Sequence, residues 1–282
     1  MQVISGVGTP VKHLLNPVKA VTNLLSQGPL IRQFARRDIE SRYRGSFLGL
    51  LWSLLNPLLM LGIYSFVFST VFKAKWGLQP ADNGPPFALP LLCGLLTFNL
   101  FAEVVVRAPT LVLSSPNLVK RVVFPLETLP VSALLVGMFN MSLMLLVWAA
   151  AMLLFVGHIP ATALLFPVVV LPVLLGSLGL AWFLAGIGVF VRDTAPTVAV
   201  IVQMAFYLTP IVYPVEIVPE RFQHLLYINP LTLVVEDVRR VLMWGEMPHW
   251  KGLAIAVAGA VILCLFGYAF FMKGKRAFAD VL

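Results

Sequence analysis

Glu103 and Arg107 stand four residues apart in FAEVVVRAPT, inside an otherwise apolar run, and are the first place to look for chemistry. An ionisable side chain at membrane depth marks a proton relay or an ion pathway by default. Spaced i,i+4 on a helix, however, these two can neutralise each other as a structural pair. Arg107 can also extend its head group to a nearby polar surface. Every other charge lies at the end of an apolar run or beyond it, which argues against a proton-coupled transporter or a cation channel. His13, His158, His224 and His249 are scattered without metal-ligand spacing. Cys93 and Cys264 sit in apolar runs, so neither a metal site nor a disulfide is expected. There is no GxSxG elbow, no HExxH and no facing pair of acids. No lysine stands in a GxxxxGK[ST] loop, so if nucleotide drives this protein, another chain binds it. The chain does not read as an enzyme.

The elements that must position these residues follow from composition. Of 282 residues, 60% are hydrophobic and only 11% charged, with a mean hydropathy of +0.93. Soluble domains carry about a quarter charged residues. The expected fold class is therefore an all-α polytopic membrane protein. A crossing helix needs about 20 apolar residues. Six transmembrane helices are expected, at about 46–72, 87–106, 129–156, 161–191, 195–213 and 253–272. GHIP joins the third and fourth as a tight hairpin, and Pro167 and Pro172 are expected inside the fourth. The bias of Lys and Arg places both termini in the cytoplasm. The net charge of +8 is mostly this topological signal, and no basic soluble domain is present for nucleic acid. Residues 1–28 lack a compact apolar core with a cleavage site, and read as a retained cytoplasmic segment.

Three segments are not spans. In 29–45, Ile31, Ala35, Ile39 and Tyr43 form an apolar helical stripe. Arg36 with Glu40, Asp38 with Arg42 and Glu40 with Arg44 are spaced for i,i+4 pairing on the other face. A basic amphipathic helix beside a span lies at the membrane interface, as a passive anchor or as a working element. The loop SSPNLVKRVVFPLE, 114–127, is long for a passive connection and reads as either a docking surface or a solvated turn. The segment 214–252 is too polar to span and too apolar for a free loop. Pro219 and Pro230 are placed to start two short helices, the second with Leu231, Val234, Val235, Val238 and Leu242 on one side. Such a pair is expected to re-enter the outer leaflet or to cap the bundle. Within the first span, Gly45, Gly49 and Ser53 form a row of small residues suited to close helix packing, with Gly45 as the bend that precedes the span. Tyr64, Phe68 and Phe72 recur every fourth residue, as an interfacial belt or as a stacking surface for sugar rings.

These motifs occur in an order that resembles a known family. RRDIESRYRGSFLGLLWSLLNPLLMLGIYSFVFSTVF, NLVKRVVFPLETLP, FVRDT, LTPIVYP and NPLTLVVEDVRRVLM together resemble the polysaccharide-export permeases of the ABC-2 class, from residue 31 onward. Those permeases are the membrane subunits that export O-antigen, capsule or teichoic acid, and the O-antigen permeases are the most similar. The resemblance implies a homodimer in the bacterial inner membrane, paired with two copies of a separate ATPase that binds ATP and Mg²⁺. It implies a glycan substrate on a lipid carrier, with periplasmic or outer-membrane export components as further partners. It places ATPase coupling at Asn117, Leu118, Lys120, Arg121, Arg192 and Asp193, and the interfacial helix around Arg36, Arg37, Asp38 and Arg42. Pathway candidates are Trp52, Tyr64, Phe68, Phe206 and Tyr207, and 214–252 corresponds to helices that gate the exit. An ABC-2 exporter of a lipid or small molecule and a membrane-embedded glycan-modifying enzyme remain alternatives.

Overall fold

The computed structural model describes residues 17–43, 49, 51–71, 87–116 and 124–278, and among them every regular element is helical. Two helices precede the apolar bundle: α1, Pro17–Ser26, and α2, Gly28–Tyr43. Leu51–Ser65 forms α3, which continues as a π-helical turn over Phe66–Val71. Ala88–Arg107 is α4, extended by a 3₁₀ turn to Thr110, and Thr128–Phe155 is α5. After a 3₁₀ turn, Ala161–Leu165, come the short α6, Phe166–Val169, and α7, Leu171–Phe190. Thr194–Leu208 is α8, Glu220–Ile228 α9, Pro230–Arg239 α10 with a π turn to Trp244, and Trp250–Gly274 α11.

Among the described residues, four helical stretches are long and apolar enough to cross a membrane: Ala88–Thr110, Thr128–Phe155, Ala161–Phe190 and Trp250–Gly274. Their bounds fall within a few residues of the second, third, fourth and sixth expected spans. The expected first span is helical throughout 51–71, its last six residues π-helical, and the expected fifth is a shorter helix, Thr194–Leu208. Helix is forced on such sequences because hydrocarbon offers no partner for a free amide, and helices satisfy their own.

Proline placement decides where the helices begin. Pro90, Pro130, Pro172, Pro196 and Pro230 all lie within the first three residues of α4, α5, α7, α8 and α10. An N–H there has no intrahelical partner to lose. The fourth expected span is accordingly not one helix with internal prolines. Pro167 and Pro172 each start a new piece, and Val170 is the joint between them. Gly157 turns the hairpin ahead of it with a left-handed φ of 84°.

The most buried of the four long helices is α4, with Leu91, Cys93, Leu96 and Val104 at 0% exposure. It is packed by α3, α5, α7, α8 and α10. The densest helix pair is α7 with α11. There Gly179 and Gly267 bring the two backbones into direct contact, since a Cβ at Gly267 would overlap the Gly179 carbonyl. The expected small-residue row of the first span is not a helical row. Helix α3 begins at Leu51, and Gly49 lies in the turn before it with φ 48°. Gly45 and Phe72 lie outside the described residues.

Candidate functional site

The two ends of the bundle carry different chemistry. One end, here the near end, holds the close of α4, the start of α5, the close of α7 and both described chain ends. Helix α2 lies across it, with Ile31 and Ala35 buried and Phe34 edge-on to Phe124 at 5.4 Å. The expected Glu103–Arg107 pair is corrected by the structure. Glu103 takes Arg42 at 2.6 Å, and Arg107 takes Asp38 at 2.7 Å. Asp38 and Arg42 face the same side of α2, so both can reach across to α4, and tertiary partners displace the local ones. The Asn140 amide donates to both Glu103 oxygens, at 2.9 and 2.8 Å, and fixes the carboxylate from α5. Of the pairs expected along α2, Arg36–Glu40 forms at 2.7 Å, while Arg37 stacks over the Phe34 ring at 4.6 Å. Helix α2 is thus clamped to the long helices by two crossed ion pairs. A double-mutant cycle with Arg42→Gln and Glu103→Gln, read by thermal unfolding in detergent, is expected to give a coupling of about 1 kcal/mol. Additive single effects would remove the clamp.

The proposed coupling residues divide. Arg192 and Asp193 are exposed in the turn between α7 and α8, where the Asp193 carbonyl accepts from the backbone and hydroxyl of Thr197. Asn117, Leu118, Lys120 and Arg121 lie outside the described residues.

The aromatics expected along a pathway also divide. Tyr64 stacks on Phe206 at 6.1 Å, and Phe206 meets Tyr207 edge-on at 5.3 Å. Phe98, which the sequence did not single out, completes the group at 5.3 Å from Phe206. Tyr207 is 64% exposed, so the cluster ends at an open surface. Trp52 is exposed but lies about 18 Å along α3 from Tyr64, at 1.5 Å per residue, and does not join it. The side chain of Phe68 lies outside the described residues.

The far end is organised around α10. Leu231, Val234, Val235, Val238 and Leu242 are all buried, as the stripe in the sequence required. Asn229 caps the helix, accepting from Leu231 N at 3.1 Å, and its amide donates to the Thr209 hydroxyl at 2.8 Å. Pro230 is the first helical residue, whereas Pro219 sits one position ahead of α9. Arg239 is 1% exposed. It pairs with Glu236 at 2.6 Å and donates to the carbonyls of Pro90 at 3.2 Å and Ile211 at 2.9 Å. Burial pushes the Glu236 carboxyl above and the Arg239 guanidinium below their ordinary values, and the pair opposes both shifts. Asp237 is fully buried and accepts from the backbone and ring nitrogens of His249, at 2.9 and 2.8 Å.

Residues 29–243 match the ABC-2 type transporter family. The chain belongs to that family. This ABC-2 chain is 27% identical over 255 residues to the O-antigen export system permease protein RfbA of Klebsiella pneumoniae, covering 90% of this chain and 95% of the relative. It is 28% identical over 266 residues to RfbA of Myxococcus xanthus, covering 93% and 99%. It is 24% identical over 250 residues to the polysialic acid transport protein KpsM of Escherichia coli, covering 86% and 92%. Membership makes it a membrane-embedded transport subunit. Among the described residues, no group of His, Cys, Asp and Glu could hold a metal ion.

Sequence reasoning missed several residues that organise this ABC-2 chain. Arg239 was legible in principle, because it falls on the stripe four residues after Val235 and three before Leu242, where an apolar residue is due. Asp237 and Asn140 carried no such local signal, since their partners His249 and Glu103 lie on other elements.

Proposed function

We propose that this chain is the membrane-spanning subunit of an ATP-driven exporter that moves a lipid-linked cell-surface polysaccharide across the bacterial inner membrane. One observation carries the reading. O-antigen and polysialic acid export proteins each match at least 86% of the chain and 92% of their own length. The similarity therefore covers the whole transport unit and not one motif.

In this reading the chain has six spans, with α3 and α8 as the first and fifth, and the near end faces the cytoplasm. Two copies pair through α3 and α8, whose Leu59, Ile63, Ile201, Met204 and Leu208 are exposed beside the aromatic cluster. Tyr64, Phe206 and Tyr207 line part of the pathway. Aromatic faces suit a sliding sugar chain, because they stack on many rings without holding any one tightly. Helices α9 and α10 re-enter the membrane and gate the exit. Two copies of a separate ATPase bind ATP and Mg²⁺ and dock at Asn117, Leu118, Lys120 and Arg121 and at Arg192 and Asp193. Closure of the ATPase pair pushes on these loops and shifts the bundle between two packed states.

The test is co-expression with the ATPase encoded beside this chain. A stable complex that hydrolyses ATP and restores surface glycan is the expected result, and failure to bind any ATPase overturns the reading. Arg121→Glu is expected to leave membrane insertion intact while weakening the complex and abolishing export. An unaffected strain removes the docking assignment.

A further inference from the structure

The 117–123 segment leads through Phe124, Pro125 and Leu126 into Glu127, which immediately precedes α5. A carboxylate at a helix start usually bonds that helix's free amides. Glu127 does not. Its side chain, only 5% exposed, reaches away from its own helix to Lys275 Nζ at 2.7 Å, just past the end of α11. Its other oxygen accepts from the Asn23 amide of α1 at 3.3 Å. Its backbone carbonyl accepts from the Trp182 indole of α7 at 3.0 Å. Trp182 is edge-on to Tyr268 of α11 at 5.1 Å, and the Tyr268 hydroxyl lies 3.4 Å from the Asn23 amide. Four separate elements, α1, the start of α5, α7 and α11, thus meet on one residue.

The energetics make this joint all-or-none. Separating a buried carboxylate from its cation leaves an uncompensated charge, so the pair either moves as a body or breaks at high cost. The bonds that share its atoms also reinforce one another. A displacement entering the start of α5 through Phe124, Pro125 and Leu126 acts directly on Glu127. There it must drag Trp182 in the middle of α7 and the end of α11 with it. The loosest contributor is the longer amide contact from α1, which lies outside the family match at 29–243.

We propose that Glu127 is the positioning residue that carries ATPase-driven movement at the start of α5 into α7 and α11, with Lys275 as its counter-charge and Asn23 of α1 as a trim on the joint. The inference rests on the reading of 117–121, in the loop ahead of α5, as the ATPase-docking element.

The experiment uses the full complex with its ATPase and measures three quantities: membrane-inserted complex, ATP hydrolysis and glycan export. Glu127→Gln keeps the shape of the side chain and removes the attraction to Lys275. Assembly and hydrolysis near the parental level are expected, with export per ATP hydrolysed reduced about tenfold, within the range for a coupling residue. Lys275→Met strands the buried carboxylate, so it is expected to lower the amount of inserted complex as well as export per ATP, and the exchange Glu127→Lys with Lys275→Glu to recover part of both losses. Asn23→Ala is expected to lower export per ATP only about two- to threefold. Parental export per ATP in Glu127→Gln and Lys275→Met overturns the proposal while leaving the export reading standing. So does a loss of export that merely follows the amount of inserted complex across all four variants. If the parental chain itself forms no complex with an ATPase, the docking reading fails first and the proposal falls with it.

Discussion

Replacing Arg239 with methionine is expected to destabilise the protein by about 3 kcal/mol, the lower end of the cost of breaking a buried ion pair. The lower end applies because Glu236 keeps 24% side-chain exposure and can find water. The rest of the cost is local. Methionine fills most of the space but donates nothing to the Pro90 and Ile211 carbonyls, which the guanidinium now joins across the far end. Arg239→Lys is expected to recover less than half of the loss, because an ammonium is a point charge and cannot serve three directions with a planar fork. A neighbouring substitution gives an independent check. A Cβ on Gly94 would lie 3.1 Å from Arg239 Nη2 and 3.2 Å from Ile211 Cα, so Gly94→Ala is expected to weaken the same joint by about 1 kcal/mol. Thermal unfolding of the purified protein, followed by the loss of its monodisperse peak, measures all three. A stability of Arg239→Met within about 1 kcal/mol of the parent would show that α10 is held by its apolar stripe alone.

Arg239 also illustrates what can be read from such a chain. The long apolar helices were legible because each needs only its own residues to announce it, and the stripe on α10 was legible for the same reason. Partner choice was not. Glu103 and Arg107 are ideally spaced for each other, yet α2 crosses nearby with an arginine and an aspartate of its own, and the pairs are exchanged. Local spacing states which contacts are available, and tertiary packing then chooses among them. Glu127 was less legible still, with partners at Asn23, Trp182 and Lys275 spread over most of the chain. The proline-broken start of the 161–190 stretch is hidden from hydropathy, which is blind to amide donors, whereas Pro167 and Pro172 each remove a donor that only a helix start can spare. The fifth expected span came out short for a related reason. Hydropathy counts apolar residues on either side of a helix break, and the folded α8 stops at Thr209.

The second large effect is expected where two backbones touch. A Cβ on Gly179 would lie 2.7 Å from the backbone of Leu263 and Cys264, and one on Gly267 would overlap the Gly179 carbonyl. Neither obstacle is the end of a flexible side chain, so nothing can rotate aside, and α7 and α11 would have to separate along their length. Overpacking of a tight interior costs about 1–3 kcal/mol, and more where backbone must move. Gly267→Ala is therefore expected to cost about 3 kcal/mol, and Gly267→Val to leave little or no monodisperse protein. The consequence extends beyond the contact, because α11 carries Tyr268 and leads to Lys275, and parting α7 from α11 pulls both away from Trp182 and Glu127. Helix propensity provides the control. Gly259 lies on the same helix, and a Cβ added there would meet nothing within 4 Å. Gly259→Ala thus removes backbone freedom without a clash and is expected to be neutral or slightly stabilising. If Gly259→Ala and Gly267→Ala behave alike in thermal unfolding, the α7–α11 contact is looser than backbone on backbone. If only Gly267→Ala fails, close approach of these two helices is what holds the last helix, and with it the Glu127 joint, in place.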